Sequence, residues 1–339
     1  MYSLKRWLGL ILAALLVLSF VSCGSNGRVD EGTDDGTDLI VVGFSQPGAE
    51  SAWRVALTDS VKEAFTESKG YKLIYKDGQS KQDNQIRDIR KFIQQGVDYI
   101  ILCPIVETGW DTVLSEAKQA GIPVIICDRN VVVSNESLYT AFVGSDFKAQ
   151  GEKAVSYLEE LYGPDEEGNT PEVNIVHIQG TIGSSAQIGR SQALDKALEE
   201  HSNWHIIARD CGEFTKAKSR EIMQQFLQEI DSNDIDVIYC ENDEEAFGAM
   251  AALNEAGINY GGGNKIRIIS FDATENALEF CMSGQIDLVV ECNPLQGPYL
   301  YNIVEMLNNE KTVPKITYVD ENYFTPDKLS KEIIQNRKY

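Results

Sequence analysis

The chain has 339 residues, with 30 Lys and Arg against 52 Asp and Glu, for a formal net charge of −22. Its 43% hydrophobic content, 27 glycines and 9 prolines are globular composition, neither disordered nor collagen-like. The length suggests two domains, and the acidity argues against nucleic acid and anionic membrane surfaces, whose phosphates call for clustered Lys and Arg. With His177, His201 and His205 as the three histidines, little room is left for a His-based metal site or a His-dependent triad. No metal or other cofactor is expected.

The first segment in chain order is a targeting signal. Lys5 and Arg6 precede an apolar run from Trp7 to Val21, and then come Ser22, Cys23, Gly24 and Ser25. A charged start, an apolar run too short for a comfortable span and a small residue before a cut describe a secretory signal over residues 1–22. The Cys at the cut resembles a bacterial lipobox, in which Cys23 is lipidated and becomes the first mature residue; Phe20 stands where that pattern usually has Leu. An uncleaved anchor helix is the other reading. Both put the rest of the chain outside the cytoplasm. Residues 23–37 form a tether, because GSNGRVDEGTDDGT cannot bury surface. A single acyl chain holds a bilayer only marginally, so a stable anchor implies more than one.

The body alternates strand and helix. Continuous apolar runs recur at Leu39–Phe44, Leu73–Tyr75, Tyr99–Leu102, Val124–Cys127, Phe142–Val143, Val173–Ile178, Ile206–Ala208, Val237–Cys240, Ile266–Phe271 and Leu288–Val290. Continuous rather than alternating runs predict parallel strands covered on both faces. Helical stripes lie between them: Trp53, Leu57, Val61 and Phe65, with Gly70 after; then Ile86, Ile89, Phe92 and Ile93, closed by Gly96. The fold class is α/β, built of βαβ units in doubly wound parallel sheets, and about ten strands favour two similar lobes over one open sheet. Cys103, Cys127, Cys240 and Cys292 sit in or at the end of these runs and read as small buried apolar residues. Mostly free thiols are therefore expected, and the absence of CxxC leaves a zinc or redox site without support.

The informative residues stand at the carboxyl end of each strand: Ser45-Gln46, Asp77-Gly78-Gln79, Asp128-Arg129-Asn130, Gln179-Gly180, Glu241-Asn242-Asp243, Asp272, and Glu291-Cys292-Asn293. Ligands of open parallel sheets bind outside these strand ends. Two lobes facing across them would make a cleft rich in Asp, Asn, Arg and Gln. Asp, Asn and Ser are also the preferred helix N-caps, which explains any one of these tips taken alone. With Phe44, Trp53, Trp110 and Phe214 as aromatics near the tips, the mixture suits a sugar. Carboxylates accept from hydroxyls, guanidinium forks donate to them, amides do both, and ring C–H faces pack on aromatic faces. No GxxxxGK[ST] is present to suggest a nucleotide.

The segments GFSQPGAESAWR (43–54), DGQSKQDNQIRDIRKFIQQGVDYIILCP (77–104), ETGWDTVLSEAKQAGIPVIICDR (107–129), QGTIGSSAQIGRSQALDKAL (179–198), YCENDEEAFGAMAALNEAG (239–257) and SFDATENALEFCMSG (270–284) carry a further signal. From about Leu39 to Tyr323 the chain resembles the periplasmic sugar-binding proteins of bacterial ABC transporters. The likeness is to the ribose-binding-like group and, within it, to the galactofuranose-binding branch, through SQPGAESAWR and ETGW.

The resemblance implies a type I periplasmic-binding-protein architecture of two lobes joined by a three-segment hinge. Lobe 1 would hold 38–145 plus 294–318, and lobe 2 would hold 146–293 plus 319–339. Crossings are expected near Gly144–Phe147, Pro294–Gly297 and Ile316–Asp320. The resemblance also implies that Trp53 and Arg54 meet the sugar, that Asp128 and Arg129 clamp adjacent hydroxyls, that Arg190 and Phe214 approach from lobe 2, and that Asn242 and Asp272 complete the set. Ser45, Glu50 and Glu291 are further candidates. Cys103 stands where ribose binders have Asn, and Trp53-Arg54 replaces two phenylalanines, so ribose itself is disfavoured.

The implied function is capture of a monosaccharide, galactofuranose or a related sugar, by hinge closure. Delivery to an ABC transporter permease would come next, from a monomer held to the membrane by its lipid alone. Three rival readings compete: a glycosidase, whose carboxylates Arg129 and Arg190 would hold ionised; a repressor, which would need a basic helix-turn-helix where the signal stands; and a receptor presenting the sugar to a chemoreceptor or sensor kinase.

Overall fold

In the computed structural model, which describes residues 39–339, each of the ten apolar runs forms a β-strand, and two further short strands appear. The signal segment, Cys23 and the tether lie outside the described residues. The strands are β1 (Ile40–Gln46), β2 (Tyr71–Asp77), β3 (Tyr99–Leu102), β4 (Val124–Asp128), β5 (Ala141–Gly144), β6 (Val173–Gln179), β7 (Trp204–Cys211), β8 (Val237–Cys240), β9 (Arg267–Asp272), β10 (Leu288–Glu291), β11 (Ile316–Tyr318) and β12 (Tyr323–Phe324). The helices are α1 (Ala52–Ala64), α2 (Gln82–Gln95), α3 (Asp111–Gln119), α4 (Phe147–Leu161), α5 (Ser185–Glu200), α6 (Lys216–Glu229), α7 (Asp243–Ala256), α8 (Glu275–Met282), α9 (Gly297–Asn308) and α10 (Lys331–Gln335). Among the described residues no helix is long and apolar enough to cross a membrane.

The strands form two six-stranded sheets, ordered β11-β5-β4-β3-β1-β2 and β12-β10-β9-β8-β6-β7. Every pairing is parallel except β10 with β12. The inner strands β3, β4 and β8 are buried along their whole length, as strands covered by helices on both faces must be. Two apolar clusters flank each sheet. In the first lobe, one cluster carries Val42, Phe44, Leu57 and Ile101, and the other Ile89, Phe92, Ile100 and Trp110. Phe44 and Trp110 are both fully buried there, so they serve the core and not the ligand face expected of them.

The helices obey local rules. Ser51 caps α1 by accepting from the Arg54 amide at 3.1 Å, and Trp53, Leu57, Val61 and Ala64 form its buried stripe. Gly96, at φ 64°, ends α2 with its N–H on the Phe92 and Ile93 carbonyls. The stripe runs on to Phe65, which is buried in the same cluster as the cap of a helix that ends at Ala64, and a 3-10 turn leads through Gly70 into β2.

The chain passes between the sheets three times: from β5 into α4 through Ser145–Asp146, from β10 to α9 through Cys292–Gln296, and from β11 to β12 through Val319–Asn322. The stretch Ile316–Tyr318, expected to be part of a crossing, is instead the edge strand β11, paired with Phe142–Gly144. No disulfide is present among the described residues. Cys103, Cys127, Cys240, Cys281 and Cys292 are buried free thiols, and Cys211 is half-buried.

Candidate functional site

The carboxyl ends of the two sheets face one another across a narrow cavity of about 20 Å3. Its walls include Glu50, Trp53, Arg54, Asp128 and Arg129 from the first lobe, and Arg190, Phe214, Asn242 and Asp272 from the second.

The first-lobe wall is an ion network. Asp128 ends β4 at φ 61°, a left-handed conformation that costs energy in a non-glycine residue and is held by its surroundings. Its amide donates to Gln296 Oε1 at 3.0 Å. Arg54, in the first turn of α1, donates through Nη1 to Asp128 Oδ2 at 2.6 Å and through Nε to Glu50 Oε1 at 3.1 Å. Its guanidinium lies 4.7 Å from the Trp53 ring centroid. Arg129 donates to the Ile105 carbonyl at 3.2 Å and lies 4.0 Å from Glu50. Burial pushes the Glu50 carboxyl up, but the Arg54 and Arg129 charges outweigh it and hold Glu50 below its ordinary value. Burial and the like charge of Arg54 pull Arg129 down. Burial and Asp128 push the Cys103 thiol up to about 12, so it stays neutral beside that carboxylate.

The second-lobe wall is organised around Arg190 on α5. Its Nε and Nη2 donate to Gln150 Oε1 at 3.0 and 2.8 Å, Nη1 donates to the Glu241 carbonyl, and Nη2 lies 3.5 Å from Asp272 Oδ1. The guanidinium also packs over Phe271 and Phe147. Asp272 ends β9 at φ 105°, and burial pushes its carboxyl well up against the opposing pull of Arg190. Asn242 is both cap and wall: its side chain accepts from the Glu245 amide at 2.9 Å and donates to the Phe214 carbonyl at 3.3 Å. Phe214, at φ 60°, is fixed by Glu245 Oε1, which accepts its amide at 2.9 Å. Gly180 makes room for that ring, since a Cβ there would stand 1.9 Å from Phe214 Cζ.

Contacts between the lobes close the cavity. Trp53 Nε1 donates to the Cys292 carbonyl at 2.5 Å, the Arg129 guanidinium lies 5.1 Å from the Phe214 ring, the Asn130 amide donates to Ser185 Oγ at 2.9 Å, and the Glu107 amide donates to the Gly183 carbonyl at 2.9 Å.

Two candidates lie elsewhere. Ser45 is fully buried against α2, 3.4 Å from Asp88 Oδ2. Glu291 turns away to the C-terminal segment, accepting from Arg337 Nη1 at 2.5 Å, Tyr339 Oη at 2.9 Å and the Asn322 amide at 2.8 Å. Four lining residues were not among the candidates: Ser51, Phe147, Ala186 and Cys292. Cys292 and Phe147 read as ordinary apolar positions, and only the meeting of the lobes brings them to the cavity. Among the described residues no group of three or more His, Cys, Asp or Glu is placed to hold a metal ion. His177 instead pairs with Glu241 at 2.9 Å inside the second lobe.

The walls offer fixed carboxylate acceptors, guanidinium donors and amides around an apolar lining, the complement of a polyhydroxylated ring. Similarity to known proteins points the same way. The chain is 36% identical over 301 residues to the galactofuranose-binding protein YtfQ of Escherichia coli strain K12, covering 88% of this chain and 92% of that one. A solved Mycobacterium smegmatis protein in complex with β-D-fucofuranose is 37% identical, with a TM-score of 0.79 over 85% of this chain and 92% of its own. The periplasmic binding component of the arabinose ABC transporter of Shewanella sp. ANA-3, bound to α- and β-L-arabinofuranose, is 36% identical, with a TM-score of 0.79 over 88% and 95%. These relatives are sugar-binding proteins and not enzymes. With residues 42–311 also matching the periplasmic binding protein domain model, the chain belongs to that family of extracytoplasmic sugar binders.

Proposed function

We propose that this chain is a solute-binding lipoprotein that captures one monosaccharide in its furanose form by hinge closure and passes it to an ABC transporter permease. The observation that carries the reading is the small cavity with walls from both lobes, where Arg54, Asp128 and Arg129 face Arg190, Asn242 and Asp272. The three relatives above are named for, or hold, galactofuranose, fucofuranose and arabinofuranose, which favours a five-membered ring. Both wall sets are nearly solvent-free, so each hydroxyl that meets them replaces water with a charge-assisted hydrogen bond.

The mechanism is population shift. A sugar touching one lobe gains half the contacts; closure supplies the rest, so the closed form binds more tightly and becomes dominant. Cys23 carries the acyl anchor, and the monomer presents its closed surface to the permease. Nine candidate residues form the site: Glu50, Trp53, Arg54, Asp128, Arg129, Arg190, Phe214, Asn242 and Asp272. Calorimetry and thermal shift across furanose and pyranose sugars, galactose included, test the ligand. One furanose should bind at a single site and raise the melting temperature, by about 2.7 kcal/mol of added stability at a hundred times Kd. A screen without any sugar response would contradict the reading. Metabolic labelling with a fatty acid should mark the wild type and not Cys23→Ala; equal labelling would remove the lipoprotein assignment.

A further inference from the structure

Glu321 lies in the third crossing, outside the cavity, yet its carboxylate gathers all three crossings. Oε1 accepts from Ser145 Oγ in the first crossing at 2.5 Å and from the Asn293 amide in the second at 2.9 Å. Oε2 accepts from Gln150 Nε2 on α4 at 2.7 Å. The backbone carbonyl of the same residue accepts from Lys153 Nζ at 2.8 Å. Gln150 is fully buried, and its other amide atom, Oε1, is the acceptor for both Nε and Nη2 of Arg190.

We infer that Glu321 is a positioning residue that couples the hinge to the sugar site through Gln150 and Arg190. The coupling has a direction fixed by chemistry. A carboxylate can only accept, so it binds the NH2 end of the Gln150 amide and leaves the oxygen facing the guanidinium, which can only donate. Were Gln150 reversed, NH2 would confront Arg190 and oxygen would confront the carboxylate. The hinge arrangement that brings Glu321 onto Ser145 and Asn293 is therefore the one that holds Arg190 beside Asp272 in the cavity.

The inference rests on the sugar-binding reading, and the test separates the two. Glu321→Gln is isosteric but carries one donor in place of an acceptor. Facing Gln150, its NH2 meets a second NH2 or reverses the Gln150 amide against Arg190. Facing Ser145 and Asn293, it meets the Asn293 N–H, which can only donate. Affinity for the sugar that binds the wild type should fall tenfold or more by calorimetry, with ligand-induced compaction reduced in X-ray scattering. The double variant Glu321→Gln with Gln150→Glu restores the pattern. A carboxylate at 150 accepts from Arg190 and from the new amide, whose oxygen still serves Ser145 and Asn293. It should recover most of the lost affinity, which a role in packing alone would not produce. Wild-type binding in Glu321→Gln, or a double variant no better than that single one, would overturn the coupling. No sugar binding by the wild type would overturn the functional reading and the coupling with it.

Discussion

Arg54→Ala removes the centre of the first-lobe network. Arg54 is 3% exposed, and its guanidinium donates to Asp128 and Glu50 at 2.6 and 3.1 Å. Its loss leaves two carboxylates in a nearly dry wall. Breaking a buried ion pair from one side costs about 3–5 kcal/mol, because the remaining charge stays uncompensated. Arg129, 4.0 Å from Glu50, offsets part of this and puts the expected loss near the lower limit. At about 2 °C per kcal/mol for a chain of this size, the ligand-free protein should melt about 6 °C lower. Sugar affinity should fall separately by about tenfold to a hundredfold, the range for one hydrogen bond to a charged group at about 1.5–3 kcal/mol. Glu50 adds a pH signature. Its folded value is held below the ordinary one, so it contributes stability above about pH 4.3 that is lost as pH falls through the folded value. Without Arg54 that acid-side loss should shrink. Arg54→Lys keeps the charge without the fork and should lie between wild type and Ala. Scanning calorimetry across pH and titration calorimetry measure both effects. An Ala variant that melts and binds like the wild type would refute the reasoning.

Arg129→Ala should cost at least about tenfold in sugar affinity, since it removes a buried guanidinium from the cavity wall beside Glu50; unchanged titration calorimetry would count against its role. Burial and the neighbouring Glu241 push Glu245 well above its ordinary value, so folded protein holds a proton that the unfolded chain releases. Stability should accordingly decline as pH rises from about 4.3 through the folded value. Glu245→Gln keeps an oxygen for the Phe214 amide and should gain on the wild type more at pH 8 than at pH 5 in thermal melts; a gap that does not change with pH would contradict this. Small-angle scattering should show a more compact particle once sugar is added, and unchanged dimensions would argue against hinge closure.

The strands were legible because a strand buried on both faces must be continuously apolar, as YIIL and VIYC are. β11 and β12 are illegible for the opposite reason. They are two or three residues long at sheet edges, with Ile316 and Tyr318 about half exposed, so they carry no burial pattern. Asp128-Arg129 and Asp272 could be read as site residues because polar groups at the ends of buried strands have few other uses. The same rule misplaced Glu291, whose partners Arg337 and Tyr339 lie more than forty residues away and carry no local trace. Ser45 fails because its side chain points back under α2. Phe44 and Trp110 show that an aromatic near a strand tip belongs to the core unless the cleft passes over it. Glu321 was invisible because its importance lies in joining three chain segments that the sequence separates by 28 residues or more.

A crystal structure of the protein grown with galactofuranose or arabinofuranose should hold one furanose ring enclosed between the lobes, hydrogen-bonded to Arg54, Asp128, Arg129, Arg190, Asn242 and Asp272 and packed against Trp53 or Phe214. A sugar bound outside that cavity, or one that touches a single lobe, would contradict capture between the lobes.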